Sequence, residues 1–223
     1  MCAQYTVNLQ ALDLETLFGI SISEDTPAWA EQRITPYTNA PVITHSGLHM
    51  MNFSLIPSWS SEKKQKFATY NARLESVAEK PTWRKPFETK RCLIPMSSFI
   101  EPIYDHEYAG NMVAFSQPNH EALFAAGIYD HWVDKKTGEV VESFAILTSP
   151  ALEFVKRIGH ERSPLFLPKE AFQDWLAPKS KNPQQLLSFL KEHRLNPPLI
   201  VEKDRPMKPG WEKRKSSETE KSP

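Results

Sequence analysis

Two β-rich runs on either side of a short turn place the strongest constraint on the fold. Residues 122–133 and 139–148 are rich in apolar and β-branched side chains, and the turn sequence Lys-Lys-Thr-Gly occupies 135–138. A Gly-containing turn between two such runs is typical of an antiparallel hairpin. The sequence therefore predicts that these runs pair with each other and belong to an antiparallel sheet.

Further strand-like and helix-like segments extend this pattern along the chain. Strands are predicted at 4–10, 34–43, 48–56, 91–95, 98–102, 111–116, 165–167 and 199–201. Amphipathic or capped segments predict helices at 13–18, 82–89, 150–158, 168–176 and 183–194. Many strands joined by hairpins, with helices between them, indicate an α+β domain built on antiparallel sheet. We expect it to span residues 1–204 and to be followed by a charged, disordered tail at 205–223, where apolar residues are few.

Composition narrows the classes of function. The formal net charge is zero, so any contact with phosphate must come from a local basic patch and not from the overall field. The N-terminal segment lacks a basic region followed by an apolar run, and no window is apolar enough to span a membrane. With two cysteines in the chain, a disulfide framework is not implied, and we expect a reducing cytoplasm.

Cys2 gives the chain a special N-terminus if Met1 is removed, which a small second residue permits. The free residue would carry an amine and a thiol on adjacent carbons, and a 1,2-aminothiol condenses with an aldehyde to an imine and then closes a thiazolidine ring. The amine titrates near ~8 and the thiol near ~8.5, so the amine is expected to attack first. Position alone is equally compatible with a Cys2 that has no function.

Three polar residues in apolar surroundings need an explanation: Asn71, Glu101 and His160. Buried polar groups must be hydrogen-bonded, and a buried carboxylate without a cation rises in pKa. A carboxylate and an imidazole so placed suit acid–base chemistry, and a structural hydrogen-bonding role is the alternative. His45 and His49 do not make a convincing metal site, because Gly47 lies between them and no Cys-x-x-Cys motif or Glu-flanked His pair is present. We expect no metal and no other cofactor.

A set of short motifs, taken in order, resembles the SOS-response-associated peptidase (SRAP) family. Phe53-Ser-Leu-Ile-Pro-Ser-Trp59 is similar to a Trp-Gly-Leu-Ile-Pro-x-Trp stretch of that family, and Ala126-Gly-Ile128 to its Ala-Gly-Leu strand. The resemblance runs from residue 2 to about residue 176. The other motifs that carry it are Met1-Cys2, Asn71-Ala-Arg-Leu-Glu75, Arg91-Cys-Leu-Ile-Pro95, Phe99-Ile-Glu101 and His160-Glu-Arg-Ser-Pro164.

The resemblance implies a particular fold and chemistry. The expected fold is SRAP-like, with antiparallel sheets curled toward a barrel and helices at the periphery. The expected activity is single-turnover, covalent capture of abasic sites in single-stranded DNA, by a thiol peptidase and lyase-like enzyme that also removes Met1. By matching position, Cys2 would be the nucleophile, Asn71 would orient the amine and adduct, Glu101 would shuttle protons, and His160 would act as acid on the sugar ring oxygen.

The resemblance also implies how DNA is held. Arg73 and Arg162 would bind the phosphates that flank the lesion, and Phe53 and Trp59 would offer aromatic platforms for bases. For these two aromatic residues a role in the core is the alternative. We expect a monomer in the cytoplasm, associated with the nucleoid when it acts on DNA, whose partner is single-stranded DNA containing abasic sites and not a membrane.

The chain departs from the family pattern near its N-terminus and near Glu101. The family usually begins Met-Cys-Gly-Arg, whereas this chain has Ala3 and Gln4. The usual Gly-Phe-Tyr-Glu-Trp is Ser-Phe-Ile-Glu-Pro at 98–102, so Pro102 replaces a Trp. These changes affect the expected DNA footprint more than the chemistry. Two alternatives stay open on sequence alone: an N-terminal-Cys peptidase or amidohydrolase acting on peptides, and a module that binds single-stranded DNA without covalent chemistry.

Overall fold

The computed structural model describes residues 2–10, 12–20, 31–178 and 182–213. No helix within these ranges is long and apolar enough to cross a membrane. The strands are β1 (Gln4–Val7), β2 (Gln32–Ile34), β3 (Asn39–Thr44), β4 (Gly47–Phe53), β5 (Asn71–Arg73), β6 (Arg91–Met96), β7 (Ser98–Ile103), β8 (Asn111–Ser116), β9 (Leu123–Val133), β10 (Val140–Pro150), β11 (Arg162–Pro164) and β12 (Ile200–Pro206). The helices are α1 (Leu14–Phe18), α2 (Pro81–Thr89), α3 (Glu153–Ile158), α4 (Phe172–Leu176) and α5 (Pro183–Glu192).

A seven-stranded sheet closes on itself around the predicted hairpin. Its order is β11-β10-β4-β3-β6-β9, and β9 pairs again with β10, so five of the strands form a closed ring. The hairpin prediction is confirmed: β9 and β10 run antiparallel from Val140 opposite Val133 to Ile146 opposite Gly127. The barrel-like α+β fold is confirmed as well. Two pairings are parallel, β10 with β4 and β10 with β5, because long connections bring those strands back to β10 in the same direction.

A second, five-stranded antiparallel sheet holds the N-terminus. Its order is β12-β8-β7-β1-β2, so β1 lies between β7 and β2 and is hydrogen-bonded along both edges. Tyr5 and Val7 are buried while their neighbours Gln4 and Thr6 are partly exposed, which is the period-2 pattern of a half-buried strand. The residues at the start of the chain are therefore fixed from both sides.

Phe53 lies in the core and not on the surface, so its predicted role as a platform for DNA is wrong. Its ring is fully buried, stacks on Phe144 with centroids 5.1 Å apart, and meets the rings of Tyr5 at 5.6 Å and Tyr70 at 5.8 Å. An aromatic ring with no exposed face cannot stack on a base. Phe53 instead packs the closed ring of strands against β1.

The described chain continues in ordered structure beyond the predicted domain end at residue 204. β12 pairs with β8 as far as Pro206, the Met207 amide donates to the Gly110 carbonyl at 2.8 Å, and Trp211 packs near Tyr104. The prediction of a disordered tail from Arg205 is therefore wrong for residues 205–213, and residues 214–223 lie outside the described part. The predicted strand at 199–201 is the start of β12, and composition missed its continuation because the open edge of β8 supplies the hydrogen bonds.

We expect the exchange Phe53→Ala to lower the free energy of unfolding by about 3–5 kcal/mol, because it leaves a cavity inside a buried aromatic cluster. Trp59→Ala is the matched control, since Trp59 is 64% exposed and its loss should change stability by about 0.5 kcal/mol or less. Urea unfolding of both variants measures the difference. Equal effects would show that Phe53 does not carry the core contact described above.

Candidate functional site

The four residues expected to carry chemistry meet where the two sheets face each other. Cys2 lies two residues before the start of β1 and Glu101 lies within β7, so both are positioned by the five-stranded sheet. Asn71 begins β5, and His160 lies between α3 and β11, so both come from the other sheet. Glu101 was expected at a strand end, but β7 continues past it to Ile103.

Asn71 holds the backbone of Cys2. Its side-chain Nδ2 donates to the Cys2 carbonyl oxygen at 2.7 Å, and both residues are buried. The Cys2 thiol faces the Gln4 carbonyl oxygen at 3.7 Å. Asn71 Oδ1 is buried and has no hydrogen-bond partner among the described residues, so it can accept one more donor near Cys2. Asn71 therefore fixes the position of the Cys2 carbonyl group. This carbonyl is bonded to the Cα atom, which carries both the nitrogen and the thiol side chain of Cys2.

Glu101 and His160 form an ion-pair contact between the two sheets. The His160 Nε2 lies 3.3 Å from Glu101 Oε2, and the His160 Nδ1 lies 2.8 Å from the Arg162 carbonyl oxygen. A carbonyl oxygen can only accept, so we assign a hydrogen to Nδ1. The contact at Nε2 then needs a second proton, which Glu101 or the imidazole carries. The pair can thus donate or accept a proton beside Cys2.

Burial sets the protonation of this cluster. It raises the pKa of Glu101 above its ordinary 4.5, although the neighbouring His160 acts in the opposite direction. Burial also raises the pKa of the Cys2 thiol well above its ordinary 9.0, and the nearby Glu101 charge raises it further. The thiol is therefore protonated at neutral pH and needs a proton acceptor before it can attack.

The two arginines expected to bind phosphate lie together at the end of β10. Arg162 donates through both terminal nitrogens to Glu75, at 3.1 and 3.0 Å, and to the Thr148 carbonyl at 2.8 Å. Arg73 is exposed and pairs with Thr148 across β5 and β10. Burial would raise the pKa of Glu75, but the hydrogen bonds from Arg162 outweigh it and lower the pKa. Arg162 is therefore preorganised in a carboxylate-binding geometry that also suits phosphate.

Comparisons with known proteins identify the family. The sequence profile described as SOS response associated peptidase (SRAP) matches residues 1–199. The chain belongs to the SRAP family. Its relatives include "Abasic site processing protein YoaM" of Bacillus subtilis, 31% identical over 200 residues that cover 85% of each chain. "Abasic site processing protein YoqW" of the same organism is 29% identical over 211 residues, which cover 86% of this chain and 88% of the relative.

One more distant sequence relative and one solved structure extend these comparisons. "Abasic site processing protein HMCES" of Pongo abelii is 25% identical over 198 residues, covering 70% of this chain and 56% of the relative. A solved structure of a protein from Bacteroides thetaiotaomicron superposes with a TM-score of 0.75 at 24% identity, over 92% of each chain. The structural likeness establishes that the two proteins share a fold.

Two further aromatic residues of this SRAP chain, Trp59 and Tyr70, lie in different environments. Trp59 is on the surface, and its indole nitrogen donates to the Pro81 carbonyl at 3.5 Å, so it lies beside α2 and not within the Cys2 cluster. Tyr70, which the sequence did not predict as a site residue, is half-buried. Burial raises the pKa of its phenol, and nearby charges that include Glu101 and Cys2 raise it further. Its place directly before Asn71 was the available signal.

The part of the chain that the structure describes contains no set of side chains suited to bind a metal ion. No group of three or more His, Cys, Asp or Glu side chains there is arranged to hold a metal ion.

We expect Glu101→Gln to stabilise the protein increasingly as pH rises above about 4.5. The folded state raises the pKa of Glu101, so it holds the proton more tightly than the unfolded state does, and stability from this group is lost as pH rises through the folded-state pKa. The amide of Gln loses no proton over this range and can still donate to His160 Nε2.

Urea unfolding of wild type and Glu101→Gln between pH 4.5 and 8 tests this. The exposed Glu79→Gln exchange is the control, and its difference from wild type should not grow with pH. Parallel stability curves for wild type and Glu101→Gln would contradict the assignment of a costly buried carboxylate at Glu101.

Proposed function

We propose that this chain processes abasic sites in DNA by capturing them covalently on Cys2. The observation that carries the proposal is the position of Cys2, which is held by Asn71 beside the Glu101–His160 proton pair. Several SRAP relatives bear names that describe abasic site processing, which supports the same class of substrate. An abasic sugar in its ring-opened form carries an aldehyde, the functional group that an aminothiol attacks.

The first step is removal of Met1 at the same site. As encoded, the nitrogen of Cys2 is an amide and cannot condense with an aldehyde. The Cys2 thiol would pass its proton to the Glu101–His160 pair and attack the Met1 carbonyl carbon. The C–N bond then breaks, which gives a thioester, and the released Cys2 nitrogen takes the proton back from the pair. One water then hydrolyses the thioester, which releases methionine and restores the thiol.

The capture step joins both groups of Cys2 to the same carbon of the sugar. The neutral amine attacks the aldehyde carbon C1′, and loss of one water gives an imine. The thiol then adds to C1′, and its proton passes through Glu101 to the nitrogen of the former imine, which closes the thiazolidine. The high thiol pKa supports this order, because the amine becomes nucleophilic at lower pH than the buried thiol does. The net change is the loss of one water.

The other site residues act on the sugar and its phosphates. His160 protonates the ring oxygen of the closed sugar, which favours the open aldehyde, and recovers the proton through Glu101. Asn71 holds the backbone of Cys2 while the amine attacks. Arg73 and Arg162 bind the phosphates on either side, and Arg162 exchanges its bidentate contact with Glu75 for one with phosphate. Single-stranded DNA suits this site, because its sugar reaches a buried residue without unpairing of a duplex.

We expect wild-type protein to form a band of reduced mobility with an abasic oligonucleotide in denaturing electrophoresis, and Cys2→Ala to form no heat-stable band. Cys2→Ser, freed of Met1 by an aminopeptidase beforehand, has the amine but lacks the thiol, so its imine should survive only when borohydride is added. Intact mass should show loss of Met1 and one DNA per protein for wild type. A heat-stable band from Cys2→Ala, or no band from wild type, would overturn the proposal.

We expect Glu101→Gln to slow crosslinking about 100-fold or more at pH 7, because the amide keeps the bond to His160 but cannot transfer the proton. Single-turnover rates of the shifted band measure this, with Glu79→Gln as the control that keeps the wild-type rate. A Glu101→Gln rate equal to wild type would show that proton transfer at this position does not limit the reaction.

A further inference from the structure

A groove of about 450 Å³ opens beside Glu101, and the capture chemistry proposed above does not use it. One wall comes from the start of the chain and from β7, with Ala3, Gln4 and Pro102. The other wall is the C-terminal segment 205–211, which follows the point where the family profile ends at residue 199. The groove therefore joins the reaction centre to a part of the chain outside the family match.

Three contacts fix the C-terminal wall. β12 pairs with β8, the Met207 amide donates to the Gly110 carbonyl at 2.8 Å, and the ring of Trp211 packs over Gly110. A side chain at Gly110 would begin 3.0 Å from that ring, and the φ of +81° at this position also favours glycine. Residues 205–211 therefore form a fixed wall of the groove, and Gly110 leaves the space that the indole of Trp211 occupies.

The groove contains two aromatic side chains close together. Tyr104 and Trp211 both line it, are partly exposed, and have ring centroids 6.4 Å apart. Partly exposed aromatic rings along a groove offer faces on which nucleobases stack. No base pairing is needed for such a contact, so it suits an unpaired nucleotide.

The groove also carries positive charge. Arg205 donates to Gln4 Oε1 at 2.6 Å and contacts Asp204, which also pairs with Arg33 at 2.5 Å. Two guanidinium groups therefore share one carboxylate, which leaves a net charge of about +1. Lys208 is exposed on the same wall and adds a second cation. The lining carboxyl residue, Glu101, is fully buried.

The chain's departures from its family pattern coincide with this groove. Gln4 stands where the pattern has Arg, and Pro102 stands where it has Trp, and both line the groove. The C-terminal segment brings an arginine and a tryptophan, Arg205 and Trp211, to the same place. The same two residue types are thus supplied from the other end of the chain.

We propose that this groove binds the nucleotide adjacent to the captured abasic sugar, with its base against Tyr104 and Trp211 and its phosphate near Arg205 and Lys208. The proposal rests on the proposed function, because it assigns the flanking nucleotide of that substrate. It makes residues 205–211 a part of the DNA-binding surface, which the SRAP profile does not include.

Binding to a single-stranded oligonucleotide that carries one tetrahydrofuran site tests the groove without covalent chemistry, since this abasic analogue has no aldehyde. We expect Trp211→Ala to weaken binding about 5- to 100-fold in fluorescence anisotropy, because one base loses its stacking partner. Trp211→Phe should restore most of the affinity, and thermal unfolding should confirm that both variants are folded.

A second oligonucleotide identifies the base. Replacing the neighbouring nucleotide, on each side in turn, by another tetrahydrofuran removes one base and keeps the phosphate. On one side, removal of the base should weaken binding by wild type as much as the Trp211→Ala exchange does. The same removal should not weaken binding by Trp211→Ala any further. Additive losses on both sides would overturn the proposal.

Salt dependence tests the phosphate contact. Arg205→Ala should reduce the slope of log affinity against log salt concentration by about 0.7, the value for one contact with a single strand. Lys203→Ala removes the same charge from the same strand, but Lys203 does not line the groove, so its slope should match wild type. Equal slopes for Arg205→Ala and wild type would contradict the contact.

A reactive abasic oligonucleotide, tested in parallel, separates the two proposals. Crosslinking by wild type together with unchanged affinity of Trp211→Ala would overturn the groove and leave the capture function standing. Absence of crosslinking by wild type would overturn the capture function, whereas Trp211-dependent stacking would still support a nucleotide in the groove. If Trp211→Ala instead slows loss of Met1 and leaves DNA affinity unchanged, the groove serves the peptide and the nucleotide proposal is wrong.

Discussion

The contact between Glu101 and His160 is the constraint on which the site depends. A fully buried carboxyl group is costly unless it is neutral or paired, and here His160, which contacts Glu101, comes from the other sheet. The two sheets must therefore dock in one register for the pair to form. The same docking brings Asn71 to the carbonyl of Cys2. Packing of the core and assembly of the site are one event, because the aromatic cluster around Phe53 lies between the same elements.

Strand pairing in the sheet fixes the position of the N-terminal residues. Chain ends usually fray unless a strand or helix holds them. β1 is paired on both edges, with β2 and β7, and Cys2, two residues before it, is buried and held by Asn71. A nucleophile that depends on a terminal amine would otherwise have to be ordered by the substrate. In this fold most of that ordering takes place when the protein folds.

Local sequence signals predicted much of this structure. The 135–138 turn placed the β9–β10 hairpin, and Asp13 and Gly19 cap α1 as their residue types suggest. The strands β8 and β9 were found nearly to their observed ends. These features depend on neighbouring residues in the chain, so a local reading captures them. The four chemical residues were found through family motifs, and their meeting in space depends on contacts between distant strands.

The predictions that were wrong or missing share one physical cause. Phe53 follows an exposed-looking polar neighbour, and only its packing on Phe144 reveals that it is core. The segment after residue 204 looked like a solvated tail, but the edge of β8 orders it. Parallel pairing of β5 with β10 connects residues far apart in sequence and leaves no local trace. In each case the deciding partner was non-local.

The pairing of β1 has a consequence for when the reactive end of the chain is complete. Cys2 is synthesised before the residues that surround it in the folded protein, which are Asn71, Glu101 and His160. The assisting groups cannot assemble until most of the chain has been synthesised and the two sheets have docked. Folding therefore separates the synthesis of Cys2 in time from the completion of its surroundings. A nascent or misfolded chain presents Cys2 without these neighbouring groups.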